Sequence, residues 1–147
     1  MPIEGRMLAA AAVLAINGAG ATRAEPRHIT IEAHEYAYVV PETAPPGPTV
    51  LHFVNRGRVP HEVQLFRFNT NVGDKQARAN LATGNVPDSV ADMNGGVLIA
   101  APGETTREAL YVDLHSGERY ALMCQFRDGP GKPQHAMLGM VALLTVQ

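Results

Sequence analysis

Polar and apolar side chains alternate along several short stretches of the chain after residue 25. Residues 28–32 are His-Ile-Thr-Ile-Glu and residues 61–66 are His-Glu-Val-Gln-Leu-Phe, so apolar side chains recur at every second position. A period of two is typical of a half-buried β-strand, because successive side chains of a strand point to opposite faces. Further apolar or β-branched stretches are also predicted to be strands: 36–40, 49–54, 97–100, 105–114, 120–124 and 140–146.

Glycine and proline clusters separate these stretches. The chain contains 14 glycines and 11 prolines, and the clusters include Pro45-Pro46-Gly47-Pro48, Pro102-Gly103 and Ser116-Gly117. Such dipeptides are typical of turns, because proline fixes one backbone angle and glycine adopts conformations that other residues avoid. About eight short strands separated by turns of this kind predict an all-β protein, an antiparallel β-sandwich.

A stretch near residues 70–94 departs from the strand pattern. Residues 74–81 are rich in alanine, lysine, glutamine and arginine, which favour a short helix, and Gly84 is suited to end it. Residues 87–94 are predicted to form another turn of helix. The stretch is too short and too polar to hold a core of its own. We therefore expect a short helical insertion between strands rather than a second domain.

The N-terminus has the pattern of a secretory signal peptide. Arg6 supplies a positive charge, and residues 7–16 are apolar and rich in alanine. Ala19-Gly20-Ala21 provides small residues for cleavage, with Ala24 as a later site. The apolar run is shorter than the ~20 residues that span a bilayer. We predict a signal peptide over residues 1–24 and one mature domain over residues 25–147, periplasmic or secreted. An uncleaved anchor is the alternative, and no later segment is predicted to span a membrane.

The composition narrows the classes of function. A length of 147 residues suits one domain, and the formal net charge of -2 excludes the broad basic surface of a general nucleic-acid binder. The mildly acidic exterior gives no reason to expect more than a monomer. The sequence contains no Gly-x-Ser-x-Gly motif and no phosphate-binding glycine loop, so we do not expect an enzyme.

The single cysteine is the most informative residue for chemistry. Cys124 ends one predicted strand, Met140 begins the next, and His135 lies in the loop between them. A lone cysteine in an exported protein is either reactive or bound to a partner, although free cysteine is also a common small core residue. A thiolate, an imidazole and a thioether are donors suited to copper. The loop conformation is restricted by Gly129, Pro130, Gly131 and Pro133.

A fourth donor has to come from elsewhere in the chain. His61 opens a predicted strand directly after Val59-Pro60 and is the candidate. The methionine favours copper over zinc, because zinc sites use cysteine, histidine and carboxylates and a long thioether bond is typical of copper. Met137 is the alternative to Met140. Each residue also has an ordinary interpretation when taken alone, His61 as a surface or cap histidine and Met140 as a core residue.

Three segments together resemble the cupredoxin pattern of plastocyanin-like blue-copper proteins. They are Asn55-Arg-Gly with Pro60-His61-Glu62, Gly117-x-x-Tyr120-x-x-x-Cys124, and His135-Ala-Met-Leu-Gly139-Met140-Val141. The resemblance covers roughly residues 27–147. It implies a Greek-key β-sandwich of eight strands that holds one type 1 copper ion. It further implies that His61, Cys124 and His135 are the equatorial ligands and that Met140 is the axial ligand.

The chain departs from that pattern in two places. Ten residues separate Cys124 from His135, where small plastocyanin-like proteins have only a few. In addition, Glu62 follows His61 where many electron carriers have an asparagine whose side chain braces the cysteine loop. A His-Glu pair resembles bacterial cupredoxins linked to copper handling.

Three hypotheses about function follow. The first is an extracytoplasmic one-electron carrier whose partner is a redox protein such as a cytochrome or a copper enzyme. The second is a periplasmic copper-binding protein for storage, delivery or tolerance, whose partner is a copper-handling protein. The third is a cupredoxin-like interaction module without metal.

Overall fold

The computed structural model describes residues 24–92 and 95–147, so the predicted leader lies outside the described residues except for Ala24. The described part contains ten strands, the helix α1 and one short 3-10 helix. Their bounds are β1 Arg27–His34, β2 Ala37–Val39, β3 Thr43–Ala44, β4 Gly47–Asn55, β5 His61–Phe68, α1 Asp74–Ala82, β6 Ala91–Asp92, β7 Val97–Ala100, β8 Leu110–Leu114, β9 Arg119–Met123, the 3-10 helix His135–Leu138 and β10 Val141–Val146.

The strands form two sheets, which confirms the predicted β-sandwich. The first sheet has the order β2-β1-β4-β8, and the second has the order β3-β10-β9-β5-β6, with β7 also paired to β5. Most neighbours are antiparallel, but β1 pairs with β4 in parallel and β3 pairs with β10 in parallel. Parallel neighbours need a crossover connection, which the segment containing β2 and β3 supplies between β1 and β4.

The main core lies between the two sheets and follows the alternation in the sequence. In β1, Ile29, Ile31 and Ala33 are buried while the residues between them are exposed or half-buried. This core continues to one end of the sandwich, where it includes Cys124 and Met140. That end is where the predicted site residues lie.

The insertion is present, and it covers the outer face of the second sheet. Helix α1 confirms the predicted helix, and Gly84 follows it with φ +67°. Pro87 begins a further turn, in which Val90 N–H donates to the Pro87 carbonyl at 2.8 Å, but residues 91–92 form a strand and not a helix. Residues 93–94 lie outside the described residues.

A second apolar cluster joins the insertion to the sheet. Strand β5 is buried at seven of its eight positions, because the insertion covers the face that a simple sandwich would expose. The insertion therefore shares a core with the sheet, which explains how so polar a segment folds. The members of the cluster are Phe66, Phe68, Val72, Ala77, Leu81, Val90, Ala91, Ala121, Met123 and Ala136.

Within the described ranges, no helix is both long enough and apolar enough to cross a membrane.

Candidate metal centre

Three of the four predicted ligands meet at one end of the sandwich. The donor atoms of His61, Cys124 and His135 all lie within 4.8 Å of one another. All three residues are buried, with exposed fractions of 0%, 0% and 1%. Within the described ranges, no other group of three or more histidine, cysteine or acidic side chains meets the same distance criterion.

Strand pairing explains why distant parts of the chain meet here. Strands β5 and β9 are antiparallel neighbours, so the first residues of β5 and the last residues of β9 lie at the same end of the sheet. His61 is the first residue of β5, and Cys124 directly follows β9. The loop then returns His135 to this end, where its N–H donates to the Phe126 carbonyl at 2.8 Å.

The orientation of the imidazoles directs donor atoms towards a common point. Nδ1 of His61 lies 3.2 Å from Nδ1 of His135, and Sγ of Cys124 lies 3.4 Å from the same His135 nitrogen. Nε2 of His135 faces an oxygen of Asp128 at 2.9 Å and therefore carries the proton in a neutral ring. Nδ1 of His135 is left with its lone pair directed at the other donors. A buried set of a sulfur and two imidazole nitrogens is suited to a soft or borderline cation.

Burial favours the neutral forms of Cys124 and His61 when no ion is bound. Burial raises the pKa of the Cys124 thiol, although backbone N–H groups of Glu62 and Phe126 oppose the shift. Burial also lowers the pKa of His61, and the neighbouring His135 contributes in the same direction. A metal ion that binds a thiolate and neutral imidazoles would therefore release the thiol proton.

The fourth predicted ligand, Met140, is buried against the same site. The β9–β10 register pairs Val141 with Met123, so Met140 lies beside Cys124 at the edge of the sheet. Cys124 N–H donates to the Met140 carbonyl at 3.3 Å. Met140 has an exposed fraction of 0%, whereas Met137 is 51% exposed. Burial therefore favours Met140 over Met137 as the source of a thioether donor.

Asn55 secures the loop that precedes His61. Its buried side-chain amide donates to the carbonyls of Val59 at 2.9 Å and Ala100 at 3.1 Å, while Gly57 N–H donates to its oxygen at 2.8 Å. A Cβ at Gly57 would lie 2.7 Å from Oε1 of Glu35 and 3.0 Å from Nε2 of His61, so a side chain there would displace these groups. The Asn55 side chain therefore provides hydrogen bonds to backbone groups that have no strand partner in this irregular loop.

Glu62 secures the chain on the other side of the site. Its Oε1 accepts hydrogen bonds from Gln125 N–H and from the Gln64 amide, both at 2.9 Å. Glu62 N–H also donates to Sγ of Cys124 at 3.5 Å. In the sequence, Glu62 stands where many electron carriers have an asparagine that braces the cysteine loop. In the structure, the Glu62 carboxylate itself braces the residue that follows Cys124.

Comparison with known proteins supports the architecture. No family model matches the chain, and no curated protein matches it. Reduced auracyanin from the photosynthetic bacterium Roseiflexus castenholzii is similar with a TM-score of 0.52 and 20% identity, covering 84% of this chain and 99% of that one. Auracyanin B is similar with a TM-score of 0.52 and 24% identity, covering 84% of this chain and 91% of that one.

The chain has the cupredoxin fold.

Within the described residues, the remaining histidines lie outside the cluster; they are His28, His34, His52 and His115. Two of them form a pair on the first sheet, where Nδ1 of His28 lies 2.8 Å from Nε2 of His52.

Two residues near the cluster were not predicted from the sequence. Asp128 accepts the Nε2–H of His135, and Tyr36 donates its O–H to Asp128. These contacts lower the pKa of Asp128, the Tyr36 hydrogen bond contributing most. The only signal in the sequence was a carboxylate inside the loop between the thiol and the imidazole. Tyr36 carried no signal, since it is distant in the chain from every candidate ligand.

Proposed function

We propose that this protein is an extracytoplasmic type 1 copper protein that carries one electron at a time. His61, Cys124 and His135 would be the equatorial ligands, and Met140 the axial ligand. The observation that carries the proposal is the convergence of a buried thiol and two buried imidazoles at one end of a cupredoxin sandwich, with a buried methionine alongside.

The donor set fits copper better than zinc. Two imidazoles, one thiolate and a weak thioether form the set typical of blue-copper electron-transfer sites, whereas structural zinc sites use four strong ligands. Copper bound there would supply a Cu(II)/Cu(I) couple. The role of the protein would be to hold one ligand geometry that suits both oxidation states of copper. The hydrogen bonds of Asn55, Glu62 and Asp128 support that role, because each secures a segment that bears a ligand.

Burial of the ligands favours an ion that is retained over one that is handed on. His135 is only 1% exposed and His61 is not exposed, so an incoming copper-handling protein would find no accessible imidazole. This favours the electron carrier over the delivery protein, which remains the second candidate because of the His-Glu pair. The protein would carry electrons without catalysing a reaction of its own.

We also propose that the protein acts outside the cytoplasm. Export by residues 1–24 is supported by the sequence pattern of a charged residue, an apolar run and small residues. The mature protein would be a periplasmic or secreted monomer with a redox protein as its partner. Mass spectrometry of the protein recovered from a producing cell would test the cleavage site.

Titration of the purified protein with Cu(II) tests the proposed function. We expect an intense blue colour from thiolate-to-copper charge transfer, no colour in the Cys124→Ala variant, and full colour in the control His115→Ala, which changes an exposed histidine. The blue protein should show a reversible midpoint potential and accept electrons from a small haem protein. Copper binding without colour would favour the storage protein, and a lack of binding would favour the interaction module.

The Met140→Leu variant tests the axial ligand. We expect it to remain blue and to have a higher midpoint potential, because the thioether stabilises Cu(II) and leucine offers no donor. Met137→Leu is the matched control and should keep the wild-type potential. A raised potential in the Met137 variant alone would assign the axial position to that residue instead.

A further inference from the structure

Asp128 and Tyr36 enclose the side of His135 that faces away from the other donors. Nε2 of His135 lies 2.9 Å from Oδ1 of Asp128, and the Tyr36 O–H donates to Oδ2 of the same carboxylate. The Tyr36 ring also meets the His135 ring edge-on, with centroids 5.0 Å apart and an angle of 64° between the planes. Both oxygens of Asp128 are thus engaged in one chain of contacts that ends on the imidazole.

Tertiary structure assembles this group from remote segments. Tyr36 lies in the turn between β1 and β2, and Asp128 lies 92 residues further on, in the loop that carries His135. Tyr36 has φ +59° and is the only non-glycine residue with positive φ in the described part of the chain. A left-handed conformation is unfavourable for tyrosine and persists only where surrounding contacts require it.

The tight turn between β1 and β2 is one reason for the left-handed conformation of Tyr36. The antiparallel pairing of His34 with Ala37 leaves only two residues, Glu35 and Tyr36, to reverse the chain. Tyr36 occupies the second of these positions, and its ring and hydroxyl both contact the group at His135. The contacts at the metal centre therefore account for a tyrosine where glycine or asparagine would be less strained.

We propose that Asp128 and Tyr36 act as a clamp that holds His135 in its Nε2–H form and in one ring orientation. Nδ1 then remains permanently available to the metal. The inference rests on the proposed function for the identity of the metal, but the clamp itself is a property of the metal-free chain. Both residues are positioning residues, because neither contacts the donor side of the imidazole.

The clamp has consequences for a bound copper ion. A carboxylate that accepts the second N–H of a ligating histidine orients the ring and strengthens its donation, and removal of such a partner typically costs about 10–100-fold in metal affinity. A stronger donor and a nearby negative charge both favour Cu(II) over Cu(I). Loss of the clamp should therefore weaken Cu(II) binding and raise the midpoint potential.

Three variants separate the parts of the clamp. Asp128→Ala removes the carboxylate, Asp128→Asn removes its charge but keeps an oxygen acceptor, and Tyr36→Phe removes only the hydroxyl. Asp113→Ala is the control, because Asp113 is an exposed carboxylate on β8, in the other sheet from the metal ligands. The thermal unfolding of each metal-free variant establishes that it is folded, and Asp128→Asn and Tyr36→Phe carry the test if Asp128→Ala does not fold.

The first measurement uses the metal-free protein. Heteronuclear NMR of the histidine side chains should show His135 as the Nε2–H form in wild type and in Asp113→Ala. A mixture of the two neutral forms is expected in Asp128→Ala. Retention of a pure Nε2–H form in Asp128→Ala would overturn the proposal, whatever the outcome with copper.

The second measurement uses copper and a competing chelator. We expect Cu(II) affinity to fall about 10–100-fold in Asp128→Ala, less in Tyr36→Phe, and not at all in Asp113→Ala. Asp128→Asn should raise the midpoint potential even if it keeps most of the affinity. Wild-type affinity and potential in Asp128→Ala would overturn the clamp, whereas a wild-type protein that binds no copper would overturn the proposed function and leave the NMR result to decide the clamp.

Discussion

Glu62 joins the strand that begins at His61 to the segment that follows Cys124. Its position next to His61 suggested the loss of a bracing asparagine, yet its carboxylate accepts the N–H of Gln125 directly after Cys124. The side chain is almost fully buried, with an exposed fraction of 5%. Burial is tolerable because a second donor, the amide of Gln64, also engages the same oxygen. A buried polar group with partners of this kind stabilises a unique loop conformation.

We predict that Glu62→Ala destabilises the metal-free protein by about 1–3 kcal/mol, the usual cost of leaving buried donors without an acceptor. Glu62→Gln should cost less, because its amide oxygen can still accept one of the two hydrogen bonds. Urea unfolding gives the free energies, with the exposed Glu108→Ala as the control. Equal stability of the two alanine variants would contradict the bracing role.

The buried tyrosines make stability sensitive to alkaline pH. Burial, followed by a hydrogen bond to Glu118, raises the pKa of Tyr120 far above its ordinary value. The unfolded chain loses this proton near about pH 10, while the folded protein retains it. The free energy of unfolding is therefore unaffected by Tyr120 below about pH 10 and falls as the pH rises above that value. Burial also raises the pKa of Tyr38, which acts in the same direction.

We expect urea unfolding between about pH 9 and pH 11 to show this loss in wild type and a flatter profile in Tyr120→Phe. Tyr111→Phe provides the control, because its ring is 80% exposed. An identical slope in wild type and Tyr120→Phe would contradict the prediction. Far-ultraviolet circular dichroism would follow the transition without interference from tyrosine ionisation.

At the scale of elements, the insertion adds a third layer to the sandwich. Helix α1 buries Ala77 and Leu81 against the outer face of β5 and β9. The insertion also contacts the segment next to Cys124, because the side-chain amide of Gln125 donates to the Gly84 carbonyl at 3.2 Å. The insertion therefore stiffens the strands that begin and end at the candidate metal ligands.

We predict that Leu81→Ala costs about 2–5 kcal/mol in the free energy of unfolding, as expected for a buried leucine whose removal leaves a cavity. Ile99→Ala, on an exposed face of β7 at 59% exposure, should cost only about 0.5 kcal/mol. Denaturant unfolding of both variants measures the difference. A small effect at Leu81 would show that the insertion folds apart from the sheet.

At the scale of the whole molecule, three neighbouring strands converge on the candidate metal centre. The order β10-β9-β5 in one sheet brings Met140, Cys124 and His61 to a common edge, and the 3-10 helix closes it with His135. The candidate ligands thus lie together only in the folded state and are dispersed in the unfolded chain. A metal that binds only the folded state must stabilise it.

We therefore expect Cu(II) to raise the midpoint temperature of unfolding. Free copper at 1,000 times its dissociation constant should add about 4.1 kcal/mol to the free energy of unfolding. Removal of copper by a chelator should reverse the gain, and Cys124→Ala should show little of it. A shift of the same size in Cys124→Ala would place the bound copper at another site.

The sequence by itself determined the class of the fold and the chemistry of the donors. Alternation at residues 28–32 and 61–66 is a local property, so it predicts strands and their buried faces without knowledge of their partners. Cys124, His135 and Met140 belong to one continuous segment of the chain, so their proximity follows largely from the chain itself.

Tertiary structure alone decided the rest. The pairing of β5 with β9 brings His61 to Cys124, and strand register is set by contacts between distant residues that a single sequence does not display. For the same reason, the sequence does not reveal the roles of Tyr36 and Asp128, which depend on a turn and a loop that meet only in the folded protein. The sequence also does not reveal that the second face of β5 is buried, because burial on that face depends on the insertion that covers it.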